Sequence, residues 1–400
     1  MAVEFTPSSN IALLRESATI AVSQRAKALK AEGRSIIDLG AGEPDFDTPA
    51  FIRDDAKRAI DAGHTHYTAT EGILPLRQAI AALARDYSPV AESLVAQDVV
   101  VSNGSKQSLF NACFVLFGLG DEVLVPTPAW TSYYEMVQLA RATPIAVMGD
   151  AANGLKVTAS MLAAAATDRT RGVMINSPSN PTGSVYTPDE LREILVLAHS
   201  LGWWVISDEI YRRVSFDGEA VSALQVAPAL DNLVIVDGVA KAYAMTGWRV
   251  GWSIAPRAVT KAMTAFQSHA TFHTASISQY AALSALTRRA EADASIAEMV
   301  AQYRVRRDAA LAVFGDYPGL PLVRPAGAFY FYFDVSAAFP LHAEPGSAFA
   351  ARLLEEKGVA VVPGAAFKTP SWVRISYAAP ESDVVEGVGR TLTLWSELKG

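Results

Sequence analysis

Trp203-Trp204-Val205-Ile206-Ser207-Asp208-Glu209-Ile210-Tyr211 and Leu233-Val234-Ile235-Val236-Asp237-Gly238-Val239-Ala240-Lys241 share one layout: an apolar, largely β-branched run that passes directly into charged or hydroxyl-bearing residues. Three earlier stretches repeat it. Val99–Val101 leads into Ser102-Asn103-Gly104-Ser105-Lys106-Gln107, Glu122–Val125 into Pro126-Thr127-Pro128-Ala129-Trp130, and Gly172–Ile175 into Asn176-Ser177-Pro178-Ser179-Asn180-Pro181-Thr182-Gly183. Short β-branched runs separated by longer segments of helical periodicity predict a mostly parallel sheet covered by helices on both faces. In open α/β sheets ligands bind beyond the carboxyl ends of the strands, so all five polar endings should converge on one crevice. Arg249–Ile254 reads as a further strand that follows its predecessor closely, which predicts a mixed sheet. Beyond about residue 290 the pattern changes: a long charged helix is expected over Ser295–Val313, then strands at Ala328–Asp334, Val359–Val362 and Val373–Ser376 in a smaller α+β unit.

The composition sets broad limits. A chain of 400 residues exceeds the size at which one core stops growing, which predicts two or three domains. Half the residues are apolar and 19% are charged, a balance that excludes a disordered or disulfide-stapled chain. The formal charge of −7 disfavours non-specific binding to nucleic acid. Cys113, the single cysteine, lies in an apolar run and reads as a buried packing residue; no intrachain disulfide can form, which fits a reducing compartment. Glu4 near the start, the lack of a basic-then-apolar leader and the lack of a membrane-length apolar run lead us to expect a cytoplasmic protein. His64 and His66 invite a metal pair, but no Cys or acidic cluster completes it, and no metal is expected.

Five segments, in their order and spacing, resemble the class I aminotransferases, a fold-type I family dependent on pyridoxal 5'-phosphate. They are Ala41-Gly42-Glu43-Pro44-Asp45-Phe46, Ser179-Asn180-Pro181-Thr182-Gly183, Ser207-Asp208-Glu209-Ile210-Tyr211, Ala240-Lys241-Ala242-Tyr243-Ala244-Met245-Thr246-Gly247-Trp248-Arg249 and Val373-Arg374-Ile375-Ser376-Tyr377. The likeness runs from about Ser17 to Ala378 and is greatest to bacterial aspartate aminotransferases of the subgroup that includes aspartate/prephenate enzymes. It implies an α/β fold in three layers with a mostly parallel seven-stranded sheet, a smaller α+β domain built from both termini, and a homodimer with shared active sites. The expected divisions are an N-terminal arm over 1–16, small-domain parts over 17–47 and 295–400, and a large cofactor-binding domain over 48–294.

The resemblance also assigns roles, each with a plainer rival. Lys241, the only lysine between Lys156 and Lys261, would carry the cofactor as a Schiff base and then move a proton at the substrate's Cα; the rival is a solvated surface lysine. Asp208 follows an apolar strand, where an unpaired carboxylate is costly, and would keep the cofactor's ring nitrogen protonated; the rivals are a helix cap or an ion pair. Tyr211 and Asn180 match residues that hydrogen-bond the cofactor's phenolic oxygen, although Asn180 also suits a turn before Pro181. Gly104-Ser105-Lys106 at a helix start, with Arg249 eight residues after Lys241, would hold the phosphate. Gly238 departs from the serine or threonine many members carry there, so one phosphate contact is missing. Tyr67 matches a tyrosine that reaches the phosphate from the neighbouring subunit, and Trp130 the ring that stacks on the cofactor; core packing is the rival for both. Arg374 would clamp the substrate's α-carboxylate, and Gly42 would close over the substrate from the N-terminal segment.

The reaction implied is a ping-pong transamination, with L-aspartate and 2-oxoglutarate as the expected pair and prephenate as an extra acceptor. The partners are small amino acids and 2-oxo acids, with no nucleic acid and no membrane. Ser268–His273, where the best-known aspartate aminotransferases place an arginine for the distal carboxylate, has none; it offers His269 and His273 instead. Lys106 matches a lysine with that task in the resembling subgroup, its rival being a surface lysine that merely assists the phosphate. Two other readings stand beside transamination. A lyase of the same fold type would use the same groups, and a transcription regulator with an aminotransferase-like domain would need a DNA-binding module for which the forty-odd residues before Gly42 leave no room.

Overall fold

The computed structural model describes residues 5–11, 14, 18–339 and 343–399. The expected arm and the start of the expected small domain therefore fall partly outside the described residues. Seven strands form the main sheet: β1 Val99–Ser102, β2 Glu122–Thr127, β3 Thr143–Met148, β4 Thr170–Asn176, β5 Trp204–Asp208, β6 Leu233–Gly238 and β7 Gly251–Ile254. Their spatial order is β1-β7-β6-β5-β4-β2-β3. All neighbours run parallel except β7, which is antiparallel to both β1 and β6. This is the mixed, mostly parallel sheet expected. The strand not anticipated is β3. It carries Pro144 and is largely solvent-facing, and it survives because an edge position leaves that residue's missing N–H unneeded.

Alternate residues of each strand enter different cores. Leu233 and Ile235 face one side with Leu76, Ile80, Leu191 and Ala281, whereas Val234 and Val236 face the other with Leu109, Cys113 and Met263. The helices Leu74–Tyr87, Pro188–Ser200 and Ser276–Thr287 cover the first face, and Ser105–Leu116 with Arg257–Ala270 the second. Burial on both faces explains why the strands read as continuous apolar runs. Cys113 is fully buried, as expected.

The 27-residue helix Arg289–Gly315 spans roughly 40 Å. It starts six residues before the expected Ser295, because Arg289–Ala294 is too polar and alanine-rich to show an apolar period. Beyond it lies a four-stranded antiparallel sheet in the order Val362–Pro363, Trp372–Ser376, Tyr330–Asp334, Leu322–Val323. Ile37–Asp38 pairs in parallel with Val359–Ala360, tying a segment near residue 37 to this later part. Phe331, Phe333, Ile375 and Leu392 belong to a further core, which also takes in Ile210, Tyr211 and Phe216 from the segment after β5. No helix among the described residues is long and apolar enough to cross a membrane.

Strands β1, β2, β4, β5 and β6 all run the same way, so their polar endings meet at one edge of the sheet. Because β7 runs oppositely, its start, just after Arg249, arrives at that same edge.

Candidate active site

A cleft of about 420 Å³ opens at this edge, lined by residues from every one of those strand ends and by Gly42, Tyr330 and Arg374 from beyond the main sheet. At one corner the helix Ser105–Leu116 begins on Gly104 without a side-chain cap, leaving its first N–H groups unclaimed by a side chain. Gly104 has φ +83°, and a Cβ there would lie 2.6 Å from Arg249 Nη2, so glycine lets the guanidinium rest against the helix start. Arg249 Nη1 donates to the Thr246 carbonyl at 2.8 Å. No carboxylate among the described residues pairs with Arg249. Helix N–H groups, the helix dipole and a guanidinium without a described carboxylate partner make this corner fit a phosphate. Gly238 is also explained: a Cβ there would meet the Val250 carbonyl oxygen at 2.9 Å, so the hydroxyl residue of other members has no room.

Deeper in the cleft, Asp208 at the end of β5 is 4% exposed. Its Oδ2 accepts from the Tyr133 hydroxyl at 2.7 Å and its Oδ1 from the Ile210 N–H at 3.2 Å. Burial raises its pKa to about 6, against the lowering effect of those donors and of Lys241. It forms no ion pair among the described residues, so a cationic ring nitrogen would offset the cost of its burial. Trp130, half-buried, meets Tyr133 edge to face at 5.6 Å and offers the cleft an aromatic wall.

Lys241 follows β6, and its ammonium donates to the Gly42 carbonyl. The residue keeps some surface on the cleft, yet dense protein surrounds its amine, and burial draws its pKa down to about 8. Arg374 and Arg249 add to that lowering, while Glu43 and Asp208 oppose it. An amine with that pKa is neutral in part near physiological pH, far more than an unshifted lysine, and the neutral form is the nucleophile. The surface-lysine rival is thereby disfavoured.

Arg374, on Trp372–Ser376, is 2% exposed. Its Nη1 donates to Asn180 Oδ1 at 2.9 Å and its Nη2 to the Gly40 carbonyl at 2.7 Å, while its Nε has no hydrogen-bond partner. The guanidinium lies between the rings of Tyr330, at 4.3 Å, and Phe367, at 5.2 Å. A buried cation with an orphaned donor and no carboxylate among the described residues fits an incoming anion. Lys106, at the cleft's mouth, sits 4.7 Å from the Trp130 ring centroid. Partial burial and Arg249 lower its pKa, and no described carboxylate pairs with it either.

Thus Gly42, Ser105, Lys106, Trp130, Asn180, Asp208, Tyr211, Lys241, Arg249 and Arg374 line one cleft, with Gly104 behind the anion corner. Tyr67 does not line it. It is 87% exposed beside Phe272 and His273, which contradicts the core-packing rival. His273 Nδ1 lies 2.7 Å from the Thr274 carbonyl oxygen, His269 sits in the last turn of Arg257–Ala270, and neither lines the cleft. Tyr133 and Tyr330 were not anticipated, since a buried tyrosine in an apolar stretch reads as core. A phosphate corner, an aromatic wall, a buried carboxylate and a neutralisable amine together fit pyridoxal phosphate.

Residues 34–390 match the family described as aminotransferase class I and II. The chain is 42% identical over 400 residues to an aspartate aminotransferase of Streptomyces avermitilis, covering 98% of this chain and 97% of that one. It is 42% identical over 397 residues to an aspartate/prephenate aminotransferase of Cereibacter sphaeroides, covering 96% and 97%. Its structure resembles that of the aspartate aminotransferase from Thermus thermophilus with maleate, with a TM-score of 0.92 and 38% identity over 98% of this chain and 100% of that one. With the family matched over most of its length and the cleft fitted to the family's cofactor, this chain belongs to the class I and II aminotransferases and uses pyridoxal 5'-phosphate.

Proposed function

We propose that the enzyme transfers the amino group of L-aspartate to 2-oxoglutarate by a ping-pong mechanism, with prephenate as a further acceptor. The observation that carries the substrate class is the pair of cations without described carboxylate partners, Arg374 in the interior and Lys106 at the mouth of one cleft. Two such cations suit a substrate with two carboxylates. Names of relatives that act on aspartate, or on aspartate and prephenate, support the same reading.

When bound, pyridoxal phosphate supplies an electron sink for negative charge at the carbon bearing the amino group. In this reading Gly104, Ser105 and Arg249 hold the phosphate, Trp130 stacks on the ring, and Asp208 keeps the ring nitrogen protonated. Tyr211 and Asn180 hydrogen-bond the phenolic oxygen. Arg374 receives the α-carboxylate with a planar fork, Lys106 the distal one, and Gly42 closes over the substrate. Lys241 would hold the cofactor covalently, and its free amine would move the proton at Cα; a lowered pKa suits the first of these tasks, which needs the neutral amine.

The reading includes a homodimer, supported by the exposure of Tyr67 with its aromatic neighbours and of Phe114 at 44%. It includes a large domain over 48–294 and a small one from 17–47 with 295–400, supported by the strands of the two sheets packing into different cores. A cytoplasmic setting belongs to it as well, supported by the single unpaired Cys113. The test is the spectral half-reaction of the holoenzyme with aspartate, glutamate, alanine and phenylalanine. Aspartate and glutamate should react fastest and stop after one equivalent of cofactor is converted. A monocarboxylic amino acid as the best donor, or continued turnover on aspartate alone, contradicts the proposal.

A further inference from the structure

Tyr330 has no role so far, yet it touches three groups that do. It is fully buried on the strand Tyr330–Asp334. In that antiparallel pair Arg374 faces Tyr332, so Tyr330 is its diagonal neighbour on the same side of the sheet. The Tyr330 ring lies 4.3 Å from the Arg374 guanidinium carbon. Its hydroxyl is 2.8 Å from that of Tyr211, which lies in the turn after β5. A Cβ on Gly42 would sit 3.3 Å from the same hydroxyl, so the segment over the cleft packs directly on it.

The proton arithmetic gives this contact a direction. A tyrosine has one O–H, and a Tyr211 that donates to the cofactor's phenolic oxygen has used it. The bond between the two tyrosines must then be donated by Tyr330 into the Tyr211 oxygen, which strengthens Tyr211 as a donor in turn. Burial raises the pKa of Tyr330, so its proton is retained through the neutral range.

We propose that Tyr330 is a positioning residue: its hydroxyl strengthens the donor that Tyr211 offers the cofactor, and its ring braces Arg374 for the substrate's carboxylate. The inference rests on the function proposed above. If it were only a core residue, phenylalanine would fill its space without consequence.

The test titrates the absorbance of the bound cofactor against pH in wild type, Y330F, Y211F and Y211F/Y330F. With weaker donation from Tyr211 the phenolic oxygen keeps more negative charge and holds a nearby proton more tightly. Y330F should therefore raise the midpoint by about half to one pH unit, a three- to tenfold change in proton affinity. In the Y211F background the same substitution should add nothing. Maleate, a dicarboxylate with no amino group to transfer, reads the ring's role separately. Y330L should raise its Kd about 5- to 30-fold, and Y330F should leave it within about twofold. A midpoint unmoved in folded Y330F holoenzyme, or an equal shift with and without Tyr211, overturns the proposal, and these arms decide it even if Y330L does not fold. A wild type that binds no cofactor refutes the underlying function instead, before any variant is compared.

Discussion

Replacing Arg374 by lysine separates shape from charge at the proposed carboxylate clamp. The native guanidinium makes two charged hydrogen bonds, to Asn180 and to the Gly40 carbonyl, is flanked by Tyr330 and Phe367, and keeps Nε free. Those contacts fix the plane of the fork before a substrate arrives. Lysine retains the positive charge, so the buried site keeps its attraction for an anion, but it offers one point donor in place of two parallel ones. The difference is about one charge-assisted hydrogen bond, roughly 1.5–3 kcal/mol, or about 10- to 150-fold in kcat/KM. Because every amino acid has an α-carboxylate, the loss should be parallel for aspartate, glutamate, alanine and phenylalanine in single-turnover half-reactions. Thermal melting of the variant checks that the fold survives. A loss confined to the acidic substrates, or a change smaller than about twofold, would refute the reasoning that Arg374 holds the shared carboxylate.

Lys106→Ala should do the opposite: half-reactions with aspartate and glutamate fall by roughly 1.5–3 kcal/mol in transition-state binding while alanine is spared, and parallel losses would return Lys106 to the phosphate. Asp208→Asn, nearly isosteric, should still bind cofactor through the phosphate corner but slow removal of the Cα proton by several orders of magnitude, each tenfold step being about 1.4 kcal/mol; a near-normal half-reaction removes Asp208 from the chemistry. The pH dependence of cofactor capture by apoenzyme follows from Lys241, whose pKa is lowered to about 8. The neutral amine is the reactive form, so the capture rate should climb with pH from 7 and level off above about 8, whereas an unshifted lysine would keep the rate climbing past pH 10.

Much of the fold and site was legible because it sits at strand ends. Apolar runs that pass into the segments carrying Asp208, Lys241, Asn180 and Gly104 announce both a parallel sheet and its ligand edge. Two signals were weaker for physical reasons. Strand β3 hides behind Pro144 and solvent exposure, and the start of the long helix at Arg289 hides in a stretch without apolar period. Arg374 and Gly42 enter the cleft from outside the main sheet, so no periodicity in the chain brings them to Lys241; only the resemblance did. Tyr133 and Tyr330 were missed because burial makes a functional tyrosine look like a packing one, and what distinguishes them is a hydroxyl aimed at Asp208 or Tyr211. Tyr67 is the reverse case, a residue whose exposure in one chain is informative only if a second chain covers it.

The central claim is that Lys241 carries the cofactor, and borohydride reduction of the holoenzyme followed by peptide mass spectrometry tests it most directly. The account predicts a pyridoxyl adduct on Lys241 alone, with no such adduct and no multiple turnover in Lys241→Ala. An adduct on Lys106 or any other lysine, or sustained turnover by the Lys241→Ala variant, would contradict it.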